Sequence, residues 1–137
     1  MREGGAQGIG AAAVEIFVNA GAKVVFADVN VAGGKSVEDK VQGYKLTLWG
    51  ALICVRKATF VETNIASWPS VLKLFKFTFE KYGRIDIVAA NAGIHGRERW
   101  LEDITGADGE LAEPDFPAIT VNLIGMLYSY HALVFWD

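Results

Sequence analysis

Four glycines fall within seven residues near the start of the chain, three of them in the pattern Gly4-x-x-x-Gly8-Ile9-Gly10. The chemistry such a cluster can do is anion binding. A dinucleotide pyrophosphate needs backbone N–H donors close by and the positive end of a helix dipole. Glycines permit the tight turn, the close approach of the chain and the close packing of helix on strand. Taken alone, the spacing also fits a flexible glycine-rich terminus, and it differs from the commoner G-x-G-x-x-G. Asp28 sharpens it. This acid closes the apolar run KVVFAD, eighteen residues beyond Gly10. There a βαβ unit presents a carboxylate that accepts hydrogen bonds from the adenosine ribose and repels a 2′-phosphate. Asn91, Ala92 and Gly93 follow the run DIVAA. Small residues there let a cofactor lie against the carboxyl end of a strand, and the Asn91 amide can bridge backbone segments. Together these features predict nucleotide binding, with NAD preferred over NADP because of Asp28.

The elements that must position these residues alternate in type. AAAVEIFVNAG reads as a helix with Ile9, Ala13, Ile16, Phe17 and Ala20 in one apolar stripe, ended by Gly21. KVVFAD reads as a strand buried on both faces, AGGKSVEDKVQG as a weaker helix and KATFVETN as a strand. SWPSVLKLFKFTFEKYG opens with Ser67 as N-cap and Pro69 in the first turn. Its predicted apolar face is Val71, Leu72, Phe75, Phe79 and Tyr82. RIDIVAANAG reads as a strand running into a turn, residues 96–114 as a loop, and FPAITVNLIGMLYSYHALVFW as a long apolar helix. Strands alternating with helices predict an α/β fold with a parallel sheet and right-handed crossovers. Residues 44–56 break the pattern: YKLTLWGALICVR is apolar and lengthens what should be a short connection. It is read either as an extra strand or packed insertion, or as foreign sequence from a misjudged splice site.

The chain has 137 residues, a length that suits one domain. Hydrophobic residues make up 52% and charged residues 21%, a core-forming composition that argues against disorder. The net charge of −3 comes without a run of one sign, so no partner of nucleic acid or anionic membrane is expected. No uninterrupted apolar run approaches the roughly 20 residues of a membrane span, and no signal peptide is read at the start. Cys54 is the single cysteine, which fits a reducing, cytoplasmic setting. His95 and His131 are far apart without ligand spacing, so no metal site is expected.

GGAQGIG, DVN, KYGRIDIVAANAGI and VNLIG, in this order and spacing, resemble the short-chain dehydrogenase/reductase family. GELAEPDFPAITVNLIGMLY is similar to the 15-hydroxyprostaglandin dehydrogenase-like group within it. The resemblance implies a Rossmann-type doubly wound sheet over residues 1–137 and NAD-dependent hydride transfer between small alcohols and ketones. It places Gly4, Gly8 and Gly10 in the cofactor turn, with the backbone of Gln7 and Ile9 near the phosphates. Asp28 would select NAD, and Val29 would lie beside the adenosine. Asn64 and Ile65 stand where relatives carry Asp-Val against the adenine. Asn91, Ala92, Gly93 and Ile94 would line the adenine-ribose side, and Val121 would touch the cofactor. Asn122 matches the family's catalytic helix asparagine, which supports a proton-relay water through its backbone.

The departures carry equal weight. Glu3 replaces the Thr that usually precedes the first glycine, and an acid there repels a pyrophosphate. The family's catalytic Ser and Tyr-x-x-x-Lys are missing: Tyr44, Tyr82, Tyr128 and Tyr130 are followed four residues on by Leu48, Asp86, Ala132 and Val134. The family's first strand is missing too. The expectation is therefore a truncated Rossmann unit, inactive by itself and poorly stable or reliant on partners. The alternatives are a truncated cofactor-binding protein, one that forms homo- or hetero-oligomers through its C-terminal helix, or an incomplete gene model.

Overall fold

The computed structural model describes residues 4–42, 46–48, 51–53, 57–96, 105–106 and 108–136. Glu3 lies outside them. The β-branched and aromatic run Lys23–Asp28 forms strand β1. It pairs in parallel with β4, Lys57–Glu62, in a register running from Lys23 opposite Lys57 to Asp28 opposite Glu62. Before β1 comes helix α1, Gly8–Asn19, and after it α2, Val31–Gln42. A helix between two parallel strands is the βαβ arrangement expected from the alternation of elements.

Val14 and Val18 of α1, Phe26 of β1, Val37 and Val41 of α2 and Ala58 of β4 form one buried core. The Phe26 and Phe60 rings meet at 5.6 Å in a tilted arrangement. The stripe predicted for α1 is displaced. Gly10, Val14 and Val18 are the buried residues, while Ile9 and Ile16 are 80% and 66% exposed. The small Gly10 lets α1 approach the chain at Gly4, which turns the Val14–Val18 side of the helix onto the core rather than the Ile9–Ile16 side.

Helix α3, Trp68–Tyr82, begins after Ser67, carries Pro69 in its first turn and ends at Gly83, as its sequence predicts. Ser67 makes no side-chain capping bond. Of its predicted apolar face, Val71 and Phe75 are buried and Tyr82 is half-buried, but Leu72 and Phe79 remain exposed. Val71 and Phe75 pack on Ala132 in a second core, joined by Ile65, Ile85, Val88, Tyr128 and Trp136. The helical run Pro117–Trp136 supplies that core's other wall. It comprises α4 (Pro117–Ile119), a π-helical turn (Thr120–Ile124) and α5 (Gly125–Trp136). This run of 20 residues, with a mean hydropathy of 1.4 over an 18-residue window, is long and apolar enough to cross a membrane by length and composition. Val121, Gly125 and Ala132 are nonetheless buried inside the fold.

One predicted element is corrected. Residues 84–93 do not form a strand; residues 84–96 run without helix or ladder. A strand exists only by pairing, and no neighbour supplies a ladder to this segment among the described residues. Within residues 44–56, β2 (Leu46–Leu48) and β3 (Ala51–Ile53) pair antiparallel as a hairpin of their own, apart from the parallel sheet. The rest of that stretch lies outside the described residues. In the loop before α4, Thr105 bridges Leu111 across a turn.

Gly34 on α2 faces the Phe60 ring so closely that a Cβ there would overlap it. Gly34→Ala gains about 1 kcal/mol in helix propensity, but overpacking the ring costs about 1–3 kcal/mol. A net loss of up to about 2 kcal/mol is expected, read as a lower urea midpoint at unchanged m-value.

Candidate functional site

The glycine turn is held from beneath by one carboxylate. Asp28, at the end of β1, is only 3% exposed. Its Oδ2 accepts the Ala6 N–H at 2.9 Å and its Oδ1 accepts the Asn30 N–H at 2.9 Å. Asn30 in turn caps α2, its Oδ1 accepting the Gly33 N–H at 3.0 Å. One buried acid thus ties the turn before α1 to the turn before α2. The chain at Gly5 also joins β1 directly, its N–H donating to the Ala27 carbonyl at 3.0 Å.

Gly4 and Gly8 adopt left-handed φ values of 60° and 57°, which side chains rarely tolerate. Gly10 has no room for a Cβ, which would overlap the Gly4 carbonyl oxygen and press on the Asn91 amide. The Asn91 Nδ2 donates to that same Gly4 carbonyl at 3.3 Å. The predicted bridging role of Asn91 is therefore seen, and Gly4, Gly10 and Asn91 converge on one point. Above them, Gln7, Gly8 and Ile9 are exposed. Gln7 is the extended N-cap of α1 and makes no side-chain capping bond. The first N–H groups of α1 therefore face solvent beside the dipole's positive end, an arrangement that suits an anion.

The second half of the site is a pairing between side chain and backbone. Asn122, in the π-helical turn, accepts the Ile94 N–H on Oδ1 at 2.8 Å and donates from Nδ2 to the Ile94 carbonyl at 2.9 Å. Its amide acts as a one-residue ladder for Ile94. Gly93 fits beneath it, since a Cβ there would sit 3.3 Å from the Asn122 Oδ1. Val121 is buried, and Ala92 and Ile94 are half-buried. Asn122 thus positions the segment after Asn91 with its side chain.

Val29 is half-buried beside Asp28. Asn64 and Ile65 follow β4, whose end is tied to β1 by the Thr63 N–H donating to the Asp28 carbonyl at 3.1 Å. The Asn64 Oδ1 closes a local turn onto the Ala66 N–H at 3.0 Å. Ile65 packs on Gly125 and the second core. No contact brings the Asn64 side chain to the glycine turn among the described residues. Sequence reasoning missed Ala6 and Asn30. Asn30 carries a legible signal, an N-cap residue directly before a helix; Ala6 carries none. No group of His, Cys, Asp and Glu suited to a metal occurs among the described residues.

A family model described as short chain dehydrogenase matches residues 3–134. Among curated proteins, the chain is 35% identical over 123 residues to the short-chain dehydrogenase/reductase prx4 of Penicillium roqueforti, covering 89% of this chain and 31% of that protein. It is 34% identical over 106 residues to L-fucose dehydrogenase of Rattus norvegicus, covering 77% of this chain and 34% of that one. The chain therefore spans about a third of the length of these relatives. Among solved structures, an alcohol dehydrogenase from Thermococcus sibiricus, complexed with 5-hydroxy-NADP, superposes with a TM-score of 0.73 at 20% identity. That match covers 98% of this chain and 51% of the other, and it shows the shared Rossmann-type fold.

Removing the Asp28 carboxylate orphans the buried Ala6 N–H, which costs about 1–3 kcal/mol. Asp28→Ala is expected to lower stability by that amount and to speed hydrogen exchange at the Ala6 amide. Asp28→Asn should lose nearly as much, because its NH₂ faces one of the two donors. Unchanged exchange at Ala6 in both variants would refute the buttress.

Proposed function

The chain belongs to the short-chain dehydrogenase/reductase family, and from that premise we propose that it is a dinucleotide-binding unit of an NAD-dependent oxidoreductase acting on small alcohols and ketones. The observation that carries this reading is the uncapped N-terminus of α1, set on a glycine turn that a buried Asp28 holds in place. The residues fit the group: Gly8 has open space around it, and Gly10 leaves no room for a side chain beneath the turn. Gly4, Gln7, Gly8, Ile9 and Gly10 would hold the pyrophosphate through backbone N–H groups. Asp28 and Val29 would meet the adenosine ribose, and the Asp28 charge disfavours the 2′-phosphate of NADP. Asn64 and Ile65 would face the adenine. Asn91, Ala92, Gly93 and Val121 would line the far side, kept there by the Asn122 amide. When bound, the nicotinamide supplies the hydride acceptor or donor. The sequence holds no Tyr-x-x-x-Lys to move the substrate proton, so this chain binds the cofactor without turning over alcohol by itself. The stretch from Gly109 to Tyr128 supports a place near the 15-hydroxyprostaglandin dehydrogenase-like group, and a cytoplasmic location belongs to the same reading.

Calorimetric titration of the 137-residue chain tests this. NAD should bind, NADP about tenfold or more weakly through like-charge repulsion at Asp28, and Gly10→Ala should bind neither while keeping its circular dichroism. Equal affinity for NAD and NADP, or no heat at millimolar NAD, overturns the cofactor assignment.

A second reading concerns association. Ile119, Leu123, Met126, Leu127, Tyr130 and Val134 recur at helical spacing along Pro117–Trp136 and are all exposed. They lie on the side opposite the buried Val121, Gly125 and Ala132. This stripe supports pairing with a second copy of the chain. Sedimentation velocity should show a dimer that Leu127→Glu converts to monomer, whereas a monomeric parent chain discards the reading.

A further inference from the structure

The residues of α2 that meet β4 fall in one row. Gly34, Glu38 and Gln42 are spaced four apart, which puts them on one face of the helix. Gly34 lies against the Phe60 ring with no room for a Cβ, so the helix runs close along the strand. One turn on, the Glu38 Oε1 accepts the Phe60 N–H at 3.2 Å. A further turn on, the Gln42 Nε2 donates to the Ala58 carbonyl at 3.4 Å.

Those two backbone groups belong to the outer edge of the sheet. The Thr63 N–H bonds to the Asp28 carbonyl. Backbone groups alternate along a strand, so Thr59 and Val61 turn theirs toward β1, while Ala58, Phe60 and Glu62 turn theirs away. In a parallel ladder, one residue of an added strand would donate its N–H to the Ala58 carbonyl. The same residue would accept the Phe60 N–H on its own carbonyl. Gln42 supplies that donor and Glu38 supplies that acceptor. The order matters, because exchanging the two residues would set the Gln amide nitrogen against the Phe60 N–H and the Glu carboxylate against the Ala58 carbonyl. An antiparallel strand needs the same two groups. Among the described residues the sheet ends here, and the β2–β3 hairpin makes no ladder with β4.

We propose that Glu38 and Gln42 form a side-chain rung that takes the place of one residue of a neighbouring strand and thereby keeps β4 from pairing with β4 of a second copy. An open edge is a template for association, and KATFVE, with its β-branched and aromatic residues, is a good strand former. Two such strands laid antiparallel about Phe60 set Ala58 opposite the copy's Glu62, so the pairing brings no like charges face to face. Nothing in the charge pattern of β4 itself prevents the contact, and the protection falls to α2. The rung uses no residue of the glycine turn and none of the exposed stripe on the C-terminal helix, so it is independent of both readings above.

Hydrogen exchange on the full chain reads the rung at the Phe60 amide. Glu38→Gln keeps an acceptor oxygen and should leave that amide within about threefold of the parent chain. Glu38→Met has a similar helix propensity but no acceptor, and should speed its exchange at least about tenfold. Changing both Glu38 and Gln42 to Met uncovers the edge. In a Leu127→Glu background, which removes pairing through the C-terminal helix, this double change should give a concentration-dependent dimer by sedimentation velocity. The Ala58 and Glu62 amides should gain protection in it, while Leu127→Glu alone stays monomeric. Equal Phe60 exchange in Glu38→Gln and Glu38→Met overturns the proposal. So does a folded double variant that remains monomeric at every concentration. Protection of Ala58 and Glu62 in such a monomer assigns the competing strand to the same chain, and that also overturns it. If the double variant loses its circular dichroism, the comparison of Glu38→Gln with Glu38→Met decides.

Discussion

The fold is organised around one buried charge. A carboxylate that is 3% exposed is tolerated only when its oxygens are satisfied, and Asp28 achieves this with two backbone N–H donors. Both donors sit at the entrances of helices. Because the acid is fixed at the end of β1, it locks the starts of α1 and α2 to the same strand end. The helix dipoles, the glycine turn and the Asn30 cap are consequences of that one placement. Charge-assisted bonds of this kind are stronger than neutral ones, which suits a joint carrying two helix entrances.

The molecule has two cores, and the sheet holds only one of them together. The first is complete: α1, α2, β1 and β4 enclose it, and α2 side chains seal the outer edge of β4. The second rests on helix packing between α3 and α5, with residues 85–88 laid across it. Trp68 anchors that contact through tilted stacking on Tyr128 and His131. Between the cores run side-chain bonds such as Asn91 to the Gly4 carbonyl and Lys81 to the Thr59 hydroxyl, where a continuous sheet would have supplied a ladder.

Much of this was legible in the sequence. α1, β1, α2, β4, α3 and the C-terminal helix follow from apolar periodicity and from their caps, because those signals are local. The glycine turn and the acid were legible as a pair because their separation matches a helix plus a strand. What was not legible is non-local. KVVFAD became a strand because KATFVE lies beside it, whereas RIDIVAA, with a similar composition, stayed unpaired for want of a neighbour. The α1 stripe was misplaced because periodicity reports hydrophobicity and cannot tell which apolar face meets a core and which stays exposed, as Ile9 and Ile16 do. The second duty of Asp28, as a structural acceptor for Ala6, has no sequence signature at all.

The amide of Asn122 has a mechanical consequence. It sits on the same 20-residue helical run whose outer stripe is exposed and whose inner side rests on α3. The π-helical turn around it carries one residue more per turn than the α-helix on either side. A rotation of that rod about its own axis swings the amide, and Ile94 must follow because both polar atoms of the amide are bound to its backbone. The helix is therefore a lever with its handle on the outer surface and its short arm at Ile94, three residues beyond the Asn91 that bonds to Gly4. A load applied to the handle is transmitted through one side chain.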